Sequence, residues 1–186
     1  MDLIIKMFSS ITPVSNGLAT FLLDNLELTN LKKNTLLLRE GQVCNKIYFI
    51  IEGLVRSYYI LDDTEITGWF MKEGDLIISV KSFYTQTPSE EYMQAIEDCT
   101  LYSLSHEKLF EAYKLYTEFN YIGRVLTEKY YIKSEERLFA LRKQKGKKRF
   151  EIFRETQPEL IQRVPSKYIA SYLGLNVETL SRVKHH

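Results

Sequence analysis

Cysteine and histidine are both scarce in this chain, and each scarcity closes off a kind of chemistry. Its 186 residues hold two cysteines, Cys44 and Cys99, with no metal-ligand spacing and no disulfide framework. They read as free thiols of a reducing cytoplasm. Three histidines are present, two of them the terminal pair His185-His186. A metal-dependent enzyme would lack the clustered imidazole and carboxylate ligands it needs. No catalytic residue, metal ligand or cofactor is expected. Apolar runs are short as well: none approaches the ~18 residues that span a bilayer. The start, Met1-Asp-Leu-Ile-Ile-Lys-Met-Phe8, lacks the basic leader and long apolar core of a signal peptide. A cytoplasmic protein without membrane contact is the expectation. Internal repeats and low-complexity linkers are absent too.

Hydrophobic residues make up 45% of the chain, ordinary for a globular protein, and the length suits one good-sized domain plus a small one. Charge is where the composition becomes informative. Overall there are 25 Lys+Arg against 24 Asp+Glu, but up to Gly123 the count is 10 basic to 17 acidic and beyond it 15 to 7. An acidic half followed by a basic half points to a C-terminal module that meets a polyanion. The run Arg142-Lys-Gln-Lys-Gly-Lys-Lys-Arg149 carries six of the bases. Taken alone it reads as a solvated helix end and loop; near a DNA-binding motif it becomes a phosphate-contacting segment.

From about Leu36 to Leu104 the pattern is short and strand-like. Leu36–Arg39, Lys46–Ile51, Leu54–Ile60, Glu65–Phe70 and Thr100–Leu104 are rich in β-branched and aromatic residues, with turn signals at Gly41, Gly53, Asp62-Asp63 and Gly74-Asp75. Such spacing predicts an antiparallel sandwich or jelly roll. The residues before it read as short helices, with Ser15 or Asn16 as a cap, and Ser105 caps a helix over His106–Tyr113. An amphipathic helix then covers roughly Tyr116–Lys145, its stripe formed by Phe119, Ile122, Leu126 and Tyr130. That stripe packs on its own β-domain, or on a two-fold partner, or on both with different faces.

Near the C-terminus the segment Val164–Val183 has the spacing of a helix-turn-helix. Ala170, four residues after Ser166, suits the point where two crossing helices leave room only for a small side chain. Gly174, four further on, suits a turn with positive φ. Pro165 fits a first helical turn, Glu178-Thr179 opens the second helix, and Ile169, Leu173, Leu180 and Val183 supply the apolar seam. The second helix of such a motif enters the major groove. Glu178, Thr179, Ser181 and Arg182 then fall on or near the groove-facing side. Ser166, Lys167 and Lys184 suit phosphates, and Asn176 suits a cap of the second helix.

Three signatures in this order resemble the Crp/Fnr family of bacterial transcription regulators. Glu40–Arg56 looks like that family's opening pair of strands, with Gly41 and Gly53 at its turns. Gly74-Asp75 resembles the start of its effector-binding cassette, and the helix-turn-helix follows a long helix, as in the family. The resemblance covers about Leu36–Val183. It implies an α+β chain: an N-terminal β jelly roll of the cyclic-nucleotide-binding kind over residues 1–115, a long dimerisation helix over 116–145, and a C-terminal winged helix-turn-helix over 146–186. The implied partners are double-stranded DNA, a second copy of the chain, a small-molecule effector and RNA polymerase. By the same resemblance Glu178 and Arg182 read bases, and Phe119, Ile122, Leu126 and Tyr130 line the dimer helix.

Two departures shape the expectations. Cyclic-nucleotide-binding members carry a Gly-Glu for the ribose and an Arg-Ser/Thr-Ala for the phosphate. Here the segment is Pro88-Ser-Glu-Glu-Tyr-Met-Gln-Ala95, with no arginine and two adjacent acids. An effector pocket of Gly74, Asp75, Ser89, Glu91 and Tyr92 should therefore reject a cyclic phosphate, which needs a cationic partner. Lys81 reads as an exposed loop residue. Two cysteines cannot hold the iron–sulfur cluster of oxygen-sensing members, and neither Cys44 nor His106 is placed as a haem ligand. The second departure is that the chain stops soon after Arg182, so a wing hairpin should precede the motif, within residues 155–162. His185-His186 are natural or the remains of an affinity tag. A competing reading is a small-molecule-binding β-module whose degenerate helix-turn-helix serves protein interaction.

Overall fold

The computed structural model describes residues 2–184; the His185-His186 pair lies outside the described residues. Two helices come first, α1 (Asp2–Ser9) and α2 (Asn16–Asn25), followed by β1 (Glu27–Leu31), β2 (Leu36–Leu38), β3 (Lys46–Glu52), β4 (Val55–Leu61), β5 (Thr64–Met71) and β6 (Leu76–Ile77). A short helix α3 (Val80–Thr85) precedes β7 (Tyr92–Ala95) and β8 (Cys99–Ser105). The rest is helical: α4 (His106–Leu115), α5 (Thr117–Lys143), α6 (Gly146–Thr156), α7 (Leu160–Arg163), α8 (Ser166–Tyr172) and α9 (Val177–Lys184).

Packing divides the chain into two compact units. The first joins the residues up to Ser57 with Phe70–Glu128; the second joins Tyr58–Trp69 with everything from Lys129 onward. These boundaries differ from a division at 115 and 145. The long helix contributes to both units, and so does the β4–β5 hairpin.

Two four-stranded sheets, ordered β1-β8-β3-β6 and β2-β7-β4-β5, form the jelly roll, with Tyr58–Trp69 of β4 and β5 belonging to the second unit. Strand β3 alternates as a half-buried strand should: Ile47 and Phe49 face inward while Lys46 and Tyr48 are half-exposed. Its antiparallel register with β8 runs from Lys46 opposite Ser105 to Ile50 opposite Leu101, then shifts at a bulge before Glu52. Gly53 follows at φ +94°, where a Cβ would collide with the Asp98 carbonyl oxygen and with Cys99. Ser15 caps α2 by accepting from the Leu18 amide at 3.2 Å, and Ser105 caps α4 through the Lys108 amide at 3.2 Å. Aromatic rings close the core: Phe8 of α1 meets Phe49 of β3 edge-on at 5.7 Å and Phe119 of α5 at 5.8 Å.

Three local expectations are corrected. Glu27–Leu31, in a stretch read as helical, is strand β1, paired along its length with β8. Its half-buried residues Thr29 and Leu31 alternate with exposed ones, but none is fully buried and its one other apolar residue, Leu28, lies on the exposed side, so the hydrophobic pattern is too weak to mark a strand. Lys81, read as a loop residue, lies in helix α3. The wing hairpin expected in 155–162 is not there: the segment is the end of α6 and α7. Phe150 and Phe153 bury α6 just before the segment and Leu160 buries α7 within it, so the chain there is held as helix.

Candidate functional sites

The helix-turn-helix lies in the second unit and is built as its sequence requires. Ile169, Ala170, Leu173 and Leu180 are buried between α8 and α9, and Val183 is half-buried. Gly174 takes φ +62° at the turn, and the Leu175 amide reaches back to the Ala170 carbonyl at 2.9 Å. Asn176 caps α9: its Oδ1 accepts from the Thr179 amide at 2.7 Å. Glu178, Ser181 and Arg182 are exposed, and Thr179 is half-buried with its hydroxyl accepting from Arg182 Nη2 at 3.1 Å. That single bond leaves most of the guanidinium edge directed to solvent. Lys184 Nζ donates to Ser166 Oγ at 3.0 Å, bringing the ends of the two helices together, and the Lys167 ammonium sits 4.7 Å above the Tyr168 ring.

The basic run behaves unevenly. Arg149 does not face solvent as a phosphate contact; it donates to the Gln144 carbonyl at 2.8 Å, to Leu141 at 3.5 Å and to Gly174 at 3.1 Å. It thus ties the end of α5 to the turn of the motif. Lys148 pairs with Glu151 at 3.3 Å, while Arg142, Lys145 and Lys147 remain exposed. Sequence reasoning missed the role of Arg149, because the carbonyl groups it serves are set by tertiary contact.

In the roll, the five expected pocket residues separate. Gly74 and Asp75 form a turn, with Asp75 Oδ2 accepting from the Lys72 amide at 3.3 Å, and border an apolar groove of about 310 Å³ beside Leu3, Ile4, Met7 and Phe49. Ser89 and Glu91 belong to a different cluster. The Ser89 hydroxyl meets Ser79 Oγ at 3.0 Å and donates to the Glu91 carbonyl at 2.9 Å. Burial pushes the Glu91 carboxyl above the ordinary carboxylate range, and the nearby Ser79 hydroxyl pulls it partly back. Tyr92 is half-buried at the start of β7. Lys81 is exposed and paired with Glu90, and buried Arg56 donates from Nε and Nη2 to Gln94 Oε1 at 3.0 and 2.7 Å. Ser57, inside strand β4, and Ser79, just before α3, were absent from the expected pocket and carry no sequence signal beyond being small and polar.

The long helix also divides its roles. Phe119 and Ile122 are buried in the first unit, Phe119 against Phe8 and, at 5.2 Å, Tyr113. They are therefore unavailable to a partner copy, which corrects their assignment to a dimer seam. Leu126 is half-buried, as is Tyr130, whose ring takes the Lys133 ammonium at 5.3 Å. Another face is open: Ile132 and Phe139 are 57% and 54% exposed, and half-buried Val125 extends the same seven-residue spacing. Tyr131 and Leu138 are exposed beside them. Among the described residues no helix is long and apolar enough to cross a membrane, and no cluster of metal-binding side chains occurs.

Comparison with known proteins agrees with this architecture. Residues 28–116 match the family model of the cyclic nucleotide-binding domain. No curated protein matches the chain by sequence. Among solved structures, FixK2 from Bradyrhizobium japonicum superposes with a TM-score of 0.74 at 20% identity, covering 86% of this chain and 83% of its own. The c-di-GMP-responsive global regulator CLP of Xanthomonas campestris gives 0.73 at 19% identity, covering 92% and 90%. A Crp/Fnr-family putative transcriptional regulator from Eubacterium rectale gives 0.71 at 18%, covering 92% and 82%. Residues 28–116 thus resemble a cyclic nucleotide-binding domain, and the chain has the same fold as these solved regulators.

Proposed function

We propose that this chain is a cytoplasmic, dimeric, DNA-binding transcription regulator and not an enzyme. The observation that carries the reading is the presentation of α9. It is capped by Asn176 and anchored by buried Leu180, and it holds Glu178, Ser181 and Arg182 out to solvent from its first two turns. Arginine can donate two hydrogen bonds to guanine O6 and N7, and glutamate can accept from cytosine N4. Exposed Lys167 and the exposed bases of the 142–149 run supply phosphate contacts. The heptad-spaced Val125, Ile132 and Phe139 are the dimer seam of this proposal, in place of Phe119 and Ile122.

The same reading assigns the roll an effector other than a cyclic nucleotide. Ser57, Ser79, Ser89 and Glu91 offer hydroxyls and a carboxyl where a cyclic phosphate needs a cation. A ligand that donates hydrogen bonds or carries positive charge matches the chemistry of those groups.

Fluorescence anisotropy with the chain's own upstream DNA, across a salt series and beside Arg182→Ala, tests the proposal. Sequence-dependent binding that weakens steeply with salt and loses its preference in the variant is expected. Weak binding, equal for all sequences and indifferent to Arg182, would instead favour a β-module whose helix-turn-helix serves protein contacts.

A further inference from the structure

The β4–β5 hairpin is joined to the helix-turn-helix by a set of bonds that neither the family match nor the DNA reading requires. Strand β5 is an edge of its sheet, so one side of its backbone has no strand beside it. Ser171 of α8 fills part of that edge. Its hydroxyl accepts from the Thr67 amide at 2.9 Å and donates to the Glu65 carbonyl at 3.0 Å. One side-chain oxygen thereby serves the two backbone groups that a single residue of a parallel neighbouring strand would serve. Arg137 of α5 makes the second set. Its Nη2 donates to the Thr67 carbonyl at 3.3 Å and to the Tyr172 carbonyl at 3.1 Å, while the guanidinium lies 4.4 Å from the Tyr172 ring centre and 5.7 Å from that of Trp69.

We propose that this hairpin is a strut for the helix-turn-helix, with Ser171 and Arg137 as its positioning residues. The inference rests on the DNA-binding reading and deepens it. Packing assigns Tyr58–Trp69 to the same compact unit as α8 and α9, apart from the rest of the roll. The strut grips α8 at its C-terminal end, through Ser171 and Tyr172. Ser166 and Lys167 at the other end stay exposed, as do Glu178, Ser181 and Arg182 of α9, so the contact holds the motif without covering the surface that would meet DNA. The strut is also continuous with the effector cluster. Ser57 immediately precedes Tyr58 in strand β4.

The test uses the full chain with Ser171→Ala, Ser171→Thr and Arg137→Lys. Hydrogen exchange reads the strut without reference to DNA. The Thr67 amide should exchange roughly tenfold faster in Ser171→Ala, with β3 and β8 unchanged, and Ser171→Thr should restore protection. Binding is measured to the best duplex recovered from random DNA. Ser171→Ala and Arg137→Lys should weaken it about fivefold by loosening the motif. In Ser171→Ala the salt slope should stay as it is, because no phosphate contact is removed. Unchanged Thr67 protection in Ser171→Ala would overturn the strut. Faster exchange with unaltered DNA affinity would overturn its positioning role. If the parent chain binds no duplex while Thr67 protection depends on Ser171, the DNA reading falls and the strut stands.

Discussion

Replacing Asn176 by alanine separates a residue that shapes α9 from Arg182, the residue proposed to read DNA. The Asn176 side chain satisfies the Thr179 amide at 2.7 Å, and α9 has only the eight residues Val177–Lys184 over which to spread the loss. An N-cap of this kind is worth ~1 kcal/mol. The helix should fray without melting, because Leu180 stays buried and Glu178 in the first turn still complements the helix dipole. For a chain of this size the loss lowers Tm by about 2–4 °C. If DNA binding needs the first turn formed, the same energy weakens the complex about fivefold. Asn176→Ser keeps a capping oxygen and should recover both quantities. Arg182→Ala should do the opposite of Asn176→Ala: Tm nearly unchanged, and ~1–3 kcal/mol of preference lost at one base pair. Calorimetry beside anisotropy on a matched and a singly mismatched duplex gives the comparison. A hundredfold loss in Asn176→Ala with Tm unmoved, or a serine variant that fails to recover, would refute capping as its role.

Three further expectations come from the sensor and the long helix. Burial raises the Glu91 carboxyl from its ordinary value of 4.5, so its ionisation costs the folded state stability as pH rises through that value toward the folded pKa, and the cost persists above. Glu91→Gln should therefore exceed the parent in Tm at neutral pH and lose that advantage on acidification below 4.5; a difference independent of pH contradicts it. Gly123→Ala gains ~1 kcal/mol of helix propensity. Its Cβ, however, would come 2.5 Å from Tyr113 Oη and 2.7 Å from Cε1, and that ring is held between Phe110 and Phe119. Overpacking of this kind costs ~1–3 kcal/mol, so Tm should fall, and a rise would count against the packing described. Ile132→Glu with Phe139→Glu should convert a dimer to a monomer by sedimentation; a dimer that survives both charges places the seam elsewhere.

What the sequence disclosed, and what it withheld, follows the range of each interaction. Gly174, Asn176, Ser15 and Ser105 act on backbone groups within a few residues of themselves, so their types and spacing carry the information. Fold class was legible for the same reason, from strand-like runs and turn glycines in order. Strand β1 was not, because pairing with β8 forms it and it buries no face of its own. The 3.6-residue period marked Phe119 and Ile122 as buried but could not name what covers them, and for Phe119 that is Phe8, more than a hundred residues earlier in the chain. Arg137 and Ser171 were the least legible: their bonds to the hairpin join positions 70 and 106 residues apart. The basic run suggested phosphate contacts throughout, yet Arg149 is spent on carbonyl groups that only the tertiary fold brings to it.

Selection of duplexes from a random library by the purified full chain is the most direct test of the central claim. A dimer presenting two α9 helices about one duplex turn apart, ~34 Å, should recover a two-fold symmetric site. Arg182→Ala should relax the consensus at one position in each half. A library that emerges unenriched, or a consensus unaffected by Arg182, would contradict the claim that this chain reads DNA through α9.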